Sequence, residues 1–435
     1  MSFQELIYKP KQSISIGRSF SLMREIFVKP ENRRWFIIAI AFLTIVINYI
    51  DRQIVSVLKP ILKVEFDLDD SGYAVIVNIF TICYATMYPV TGWLVDKFGS
   101  KKVMFWGIIT WSLSCIGGGI SRTVGQFGFF RGVLGLAEPT NFPATVKATT
   151  IWFPGRLRAT ANSLCQAGGS IGAIIAPPII AWLTLQYGWQ SAFIVLGAIG
   201  IVVAGIWYFI YKEPPAHILA ESVASDEKED QGKFTWLQLW KTRTLWGILL
   251  IRFVSDPVWY FCLFWLPGYL QEESGLSLAQ VGMFGWIPFL FADFGAIGSS
   301  AFSDRLVRKG HSPLMARKRM LSFIACLVPL CALTPLLPSA AGTLIVFSIV
   351  AMGCFSWLLT MNVVVAESFP VHNVASVIGI AGGCGAFGAV LFNTFVGSFM
   401  GTVGADKIFI AMAFLHPIAL LLLWTMVRKE RVPAS

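Results

Sequence analysis

Four charges stand inside apolar sequence. Asp51 and Arg52 belong to INYIDRQ, Ile47–Gln53, which lies between WFIIAIAFLTIV (Trp35–Val46) and IVSVL (Ile54–Leu58). Arg131 and Glu138 belong to FFRGVLGLAEPTNFPA, Phe129–Ala144. An ionised side chain at the centre of a membrane helix costs about 2.5–3.5 kcal/mol on insertion scales, so it persists where it has a partner or a task. Arginine stays charged at physiological pH, and its planar fork can hold a carboxylate through two parallel bonds. A carboxylic acid in low-dielectric surroundings favours its neutral form and can therefore carry a proton. Arg131 and Glu138 are seven residues apart, nearly two turns, and share a helix face. Arg52 lies one turn beyond Asn48, and Asp51 points about 100° away from it. Two bases and two acids lining one cavity would place an anion site beside a proton site.

The elements carrying these residues must be membrane helices. Hydrophobic residues make up 56% of 435 positions and charged residues 13%, with a mean hydropathy of +0.68. A soluble protein of this length carries nearly twice that charge. Apolar runs of the length a bilayer demands recur at 34–62, 71–96, 101–121, 124–151, 158–185, 188–211, 244–272, 277–304, 317–337, 341–368, 373–401 and 405–427. These predict an all-α membrane protein with twelve transmembrane helices in two six-helix bundles. The expected parts are an N-terminal tail (1–33), a first bundle (34–211), a central loop (212–243) containing ESVASDEKEDQGK, a second bundle (244–428) and a C-terminal tail (429–435). The first 30 residues have no sustained apolar core, which argues against a cleaved signal peptide.

The net charge of +10 reads as a topology signal, because bases collect on the cytoplasmic side. One set of connections holds Arg33, Arg34, Lys97, Lys101, Lys102, Arg156, Arg158, Arg305, Arg308, Lys309, Arg317, Lys318, Arg319 and Arg428; the other holds the acidic EFDLDD and EES segments. Both termini and the central loop are therefore expected in the cytoplasm, with the chain in the cell (inner) membrane. A nucleic-acid partner is not expected, since the bases are scattered among short loops.

The halves resemble each other, as transporter repeats do. An offset of 208 places Asp96 and Lys97 on Asp304 and Arg305; an offset of 216 pairs WFPGRLRATANSLCQAGGSIGA with SFPVHNVASVIGIAGGCGAFGA. Under these offsets Asp51, Arg52 and Arg131 fall on Trp259, Tyr260 and Phe347. The charges of the first half have no counterparts in the second, so coupling is expected in the first half.

GWLVDKFGSKK (Gly92–Lys102) and its degenerate copy SAFSDRL (Ser300–Leu306) resemble the loop 2–3 signature of the major facilitator superfamily. INYIDRQ, FFRGVLGLAEPTNFPA, TIWFPGRLRATANS, RFVSDPVWY and FADFG look like the anion:cation symporter family, and most like its bacterial hexuronate and sugar-acid members. The resemblance implies the major facilitator fold and proton-coupled import of an organic anion by alternating access. It implies proton coupling at Asp51 and Glu138 and carboxylate binding at Arg52 and Arg131. Asp96 and Lys97, with Asp304 and Arg305, become gating residues.

Tyr49 and Tyr84 are candidate hydroxyl donors to a polyol, with packing as the alternative. Gln166 and Asn393 are mid-span polar residues that would either bond substrate or bond another helix. Arg252, Asp256 and Asp293 are read as a network closing the cytoplasmic side, with direct ligand contact as the alternative. The glycines at 168, 169, 172, 382, 383, 385 and 388 are read as close-packing positions. His217, His311, His372 and His416 lie in connections, at a span boundary or in span 12, so carboxylates are left as the proton carriers. The eight cysteines form no C-x-x-C pair, and neither a metal-ligand cluster nor a nucleophile–histidine pair is visible, so an enzyme is not expected. No cofactor is implied; the proton gradient supplies the energy. The partners expected are a small-molecule carboxylate, protons and the lipid bilayer, with the protein acting as a monomer. Export or exchange of another small organic anion or drug-like metabolite is the rival reading; GGSIGAIIAPP lacks the G-P-x-x-G-G element of many antiporters.

Overall fold

The structure is a computed structural model that describes residues 30–430 except 217, 220–233 and 338. Most of the expected terminal tails and the polar part of the central loop lie outside the described residues. The first half consists of α1 (Pro30–Val57), the short α2 (Lys59–Glu65), α3 (Asp70–Phe98), α4 (Ser100–Ile120), α5 (Val124–Ala137), α6 (Asn141–Trp152), α7 (Gly155–Tyr187) and α8 (Trp189–Ile210). After the short α9 (Trp236–Trp240), the second half contains α10 (Arg243–Phe264), α11 (Leu266–Glu272), α12 (Leu278–Phe284), α13 (Ile287–Arg308), α14 (Pro313–Ile324), α15 (Ala340–Ser368), α16 (Val371–Val403) and α17 (Ala405–Met426). The start of α1, the end of α17 and the α8–α10 connection share one face of the helical layer, termed the terminal face; the opposite face is distal.

Local chemistry sets the breaks. Proline at position 60 cannot donate a backbone N–H, and the chain turns at Leu58 to start α2 separately from α1. The Asp69 carboxylate accepts from the Gly72 N–H at 2.7 Å and caps α3. Gly188 and Gly404 make tight turns at φ +86° and +91°, where a Cβ would be strained. They are 216 residues apart, the offset that relates the two sequence halves.

Eleven helical stretches among the described residues are long and apolar enough to cross a membrane. The remaining expected span, 124–151, is divided between α5 and α6 by a 3₁₀ turn at Glu138–Thr140, with Pro139 inside it. Proline removes a donor from the helical ladder and so interrupts the helix where Glu138 sits.

Helix pairing repeats between the halves. α1 packs on α7 as α10 packs on α16, and α3 packs on α5 as α13 packs on α15. Glycine permits the first pattern, because a Cβ at Gly168 or Gly172 would come 2.5 Å from the carbonyl of Phe42 or Val46. At Gly388 a Cβ would overlap the Phe253 carbonyl, whereas Gly379 has nothing within 4 Å. Overpacking of this kind costs about 1–3 kcal/mol. Gly388→Ala is therefore expected to lower the melting temperature of the purified protein and Gly379→Ala to leave it unchanged, as read by tryptophan fluorescence on heating.

Candidate functional site

A cavity of ≈ 210 Å³ lies between the halves. On the first-half wall stand Tyr49 and Arg52 of α1, Phe80, Tyr84 and Tyr88 of α3, and Phe142 of α6. The second half contributes Arg252, Asp256, Trp259 and Tyr260 of α10, Asn362 of α15, and Gly382 and Gly383 of α16. Gly382 and Gly383 thus border open space, unlike Gly168 and Gly172, which seat a neighbouring backbone.

Arg52 is the charge that the first half turns toward the cavity. Its Nε donates to Glu138 Oε2 at 2.7 Å, and its guanidinium lies 4.5 Å from the Tyr84 ring centroid and 5.3 Å from that of Tyr49. The aromatic faces favour a cation, and the carboxylate fixes its direction. Glu138 is 1% exposed and approaches Arg52 from the helix break, so the interrupted span is what delivers the acid. Gly169 leaves room for Tyr49: a Cβ there would come 2.9 Å from the ring.

Arg131 and Asp51 are placed differently from the sequence expectation. Both are buried, and neither lines the cavity. The Arg131 guanidinium lies 4.6 Å from the Phe80 ring centroid, on a ring whose own surface borders the cavity. Phe80 thus stands where the expected two-arginine grip would need open space. The Cys115 thiol donates to Asp51 Oδ1 at 3.7 Å, which directs that acid toward α4. Which face of a helix meets open space depends on a bulky residue from another helix.

Of the remaining candidates, Tyr49 and Tyr84 reach the cavity, as do Arg252 and Asp256, read from the sequence first as part of a closing network. Asn393 accepts from Trp265 Nε1 at 3.1 Å and donates to Asn78 Oδ1 at 3.2 Å, which makes it a seam between the halves. Gln166 is half-buried on α7, outside the cavity lining. Asp293 accepts from the Ser170 hydroxyl across the halves.

The terminal-face charges pair within their own halves. Asp96 accepts from Lys147 Nζ at 3.1 Å, and Asp304 from Arg317 Nη1 at 2.7 Å, with Glu367 3.2 Å from Arg317 Nε. Lys97 lies over the Trp93 ring at 4.8 Å, and Arg305 is exposed.

The distal face ties the halves together with charges that sequence reasoning missed. Lys59 Nζ lies 2.8 Å from Asp70 Oδ1 and 2.5 Å from Glu272 Oε2; Lys63 Nζ lies 3.0 Å from Asp70 Oδ1 and 3.2 Å from Glu272 Oε1. The Tyr73 hydroxyl donates to the Phe264 carbonyl at 2.6 Å, and Gln271 Nε2 to that of Val57 at 2.8 Å. Two lysines four apart, Lys59 and Lys63, next to the acidic EFDLDD segment were the available signal. Partial burial opposes the charge on Lys63, but Asp70 and Glu272 outweigh it and raise the pKa above the ordinary 10.5. A raised lysine pKa means that its stabilisation is fully present below 10.5 and lost only at higher pH, so Lys63 keeps its charge under physiological conditions.

Glu272→Gln should loosen the distal closure. Ala74 is buried against Gly397 at this seam. In a background without other reactive cysteines, an Ala74→Cys reporter is expected to react at least about fivefold faster with a membrane-impermeant maleimide once Glu272 is neutralised, since Glu272 pairs with both Lys59 and Lys63 and each pair is worth up to about 1 kcal/mol. An unchanged rate would show that the pairs do not hold the face shut.

The family model described as Major Facilitator Superfamily matches residues 41–393. The chain is 28% identical over 422 residues to the "Hexuronate transporter" of Escherichia coli (strain K12), covering 92% of this chain and 96% of that one. It is 28% identical over 403 residues to the "Probable galactarate/D-glucarate transporter" of Bacillus subtilis (strain 168), covering 84% and 83%. A bacterial homolog of the human lysosomal transporter Spinster, solved in an inward-facing and occupied conformation, superposes with a TM-score of 0.76 at 18% identity, covering 92% of this chain and 99% of that one.

Proposed function

The chain belongs to the Major Facilitator Superfamily and is a multi-pass membrane transporter, and we propose that it imports a hexuronate or related sugar acid by proton symport. The observation that carries this reading is Arg52, which faces the cavity from a cradle of tyrosines while its Nε is held by Glu138 at 2.7 Å. A substrate carboxylate must compete with Glu138 for the same guanidinium. Protonation of Glu138 removes the competitor and frees the fork for two parallel bonds. Tyr49 and Tyr84 offer hydroxyls to the polyol. Asp51 and Arg131, behind the Phe80 wall, complete a buried charge group that keeps coupling in the first half. With the terminal face placed in the cytoplasm of the bacterial inner membrane, the distal face closed by Lys59, Lys63, Asp70 and Glu272 is the one that must open to admit the substrate.

The cycle then runs in one direction under a proton gradient. Protons and the acid enter from outside, the halves rock, and loss of the proton inside lets Glu138 reclaim Arg52 and expel the anion. Asp96, Asp304 and their partners exchange contacts as the terminal face opens and closes. Uptake of labelled galacturonate into proteoliposomes, with and without an inward proton gradient, tests the reading. Gradient-driven accumulation that unlabelled sugar acids suppress and neutral sugars do not is the expected result; uptake indifferent to the gradient would overturn symport.

A further inference from the structure

The cavity holds a second arginine, on the opposite half. Arg252 and Asp256 lie one turn apart on α10 and are 9% and 3% exposed. Arg252 Nε stands 2.8 Å from Asp256 Oδ2, but without the alignment of a hydrogen bond, and Nη1 donates to Asn362 Oδ1 at 3.3 Å. A guanidinium has five N–H donors in a rigid fork. One misaligned contact and one long bond leave much of that fork unspent, whereas Arg52 makes an aligned 2.7 Å bond to its acid. The corner is also built to hold Asp256, because a Cβ at Gly385 would overlap its carboxylate.

We propose that Arg252, held by Asp256 and Asn362, is a second carboxylate subsite facing Arg52, so that within the sugar-acid class proposed above the cavity binds diacids more tightly than monoacids such as hexuronates. The proposal rests on the organic-anion reading above. A permanently charged, mostly buried fork with unspent donors is matched well by a second carboxylate and poorly by a single neutral hydroxyl. The two arginines belong to different halves, so one ligand gripping both draws the halves together and couples recognition to closure. A cavity of ≈ 210 Å³ is below the roughly 300–1,000 Å³ of pockets for drug-sized ligands, and suits a compact acid. On this assignment Arg252 and Asp256 read the far end of the substrate, in place of the gate expected from their sequence position.

Galactarate and galactonate differ only in whether the sixth carbon is a carboxylate or an alcohol, so they isolate the subsite. Titration calorimetry on the purified full-length protein is expected to show galactarate binding at least about tenfold tighter than galactonate. Arg252→Gln should erase that preference, weakening galactarate at least about tenfold more than galactonate. Asp256→Asn, which removes the internal competitor, should keep or strengthen galactarate binding. Wild-type protein that favours galactonate overturns the subsite with no variant needed, and so does an Arg252→Gln protein that weakens both acids equally. An Asp256→Asn protein that loses galactarate tenfold would do the same, by moving the contact from the base to the acid. Wild-type protein that binds neither acid would instead overturn the organic-anion reading itself, and an Arg52→Gln protein that still binds galactonate would remove Arg52 from the site and with it the facing pair of arginines.

Discussion

Arg52→Gln is expected to reduce sugar-acid affinity at least about a hundredfold. Charge-assisted bonds are worth about 1.5–3 kcal/mol each, and a bidentate grip loses two of them. Arg52→Lys should recover little, because an ammonium cannot reproduce the planar fork or lie flat between Tyr49 and Tyr84. The substitution also strands Glu138, which is buried and bonded to Arg52. An uncompensated buried charge costs about 3–5 kcal/mol, so the single variant is expected to melt early at high pH. The double variant Arg52→Gln/Glu138→Gln separates the two effects: it should regain thermal stability while remaining unable to bind. Calorimetric titration with galacturonate, alongside melting curves, makes both readings; a single variant that binds normally would remove Arg52 from the site.

Glu138→Gln is expected to uncouple transport from the proton gradient. The amide keeps the size and a hydrogen-bonding oxygen at the helix break but cannot exchange a proton. With no carboxylate competing for Arg52, the anion site is permanently available. Counterflow of labelled against unlabelled substrate should therefore persist, while accumulation driven by a pH gradient falls at least about tenfold, since proton binding and release no longer differ between the two sides. The pH dependence has a definite sign. Wild-type uptake rises as the outer pH falls, because acid favours the protonated, anion-accepting state, and the variant's profile should be flat over the same range. Undiminished uphill uptake by Glu138→Gln would show that the proton travels elsewhere, with Asp51 the next acid to test.

Much of the fold was legible because a bilayer admits few solutions. A run of about 20 apolar residues can satisfy its backbone only as a helix, so spans show plainly in composition. The repeat was legible in paired segments 216 residues apart, and the same offset relates Gly188 to Gly404, which serve equivalent turns at φ +86° and +91°. The interrupted span at Glu138–Thr140 was less visible, although Pro139 marked it. A proline in a membrane helix can kink it, break it or do neither, and the neighbouring helices decide which.

The site divides along the same line. Charges buried in apolar sequence announce themselves through their cost, and Arg52 and Glu138 are such charges. What helical periodicity cannot supply is the identity of the neighbour. Arg131 shares a face with Glu138 but stands behind the ring of Phe80, a residue fifty-one positions away on another helix. Arg252 and Asp256 belong to the same cavity because α10 crosses beside it, and Lys59 meets Glu272 because the distal ends converge. The amino-acid sequence by itself determined that this chain crosses a membrane many times, in two related halves, with an arginine–acid pair in the first. Only the tertiary structure decided which charges share open space, because a span's chemistry is written along one helix, whereas a cavity is defined by side chains from several.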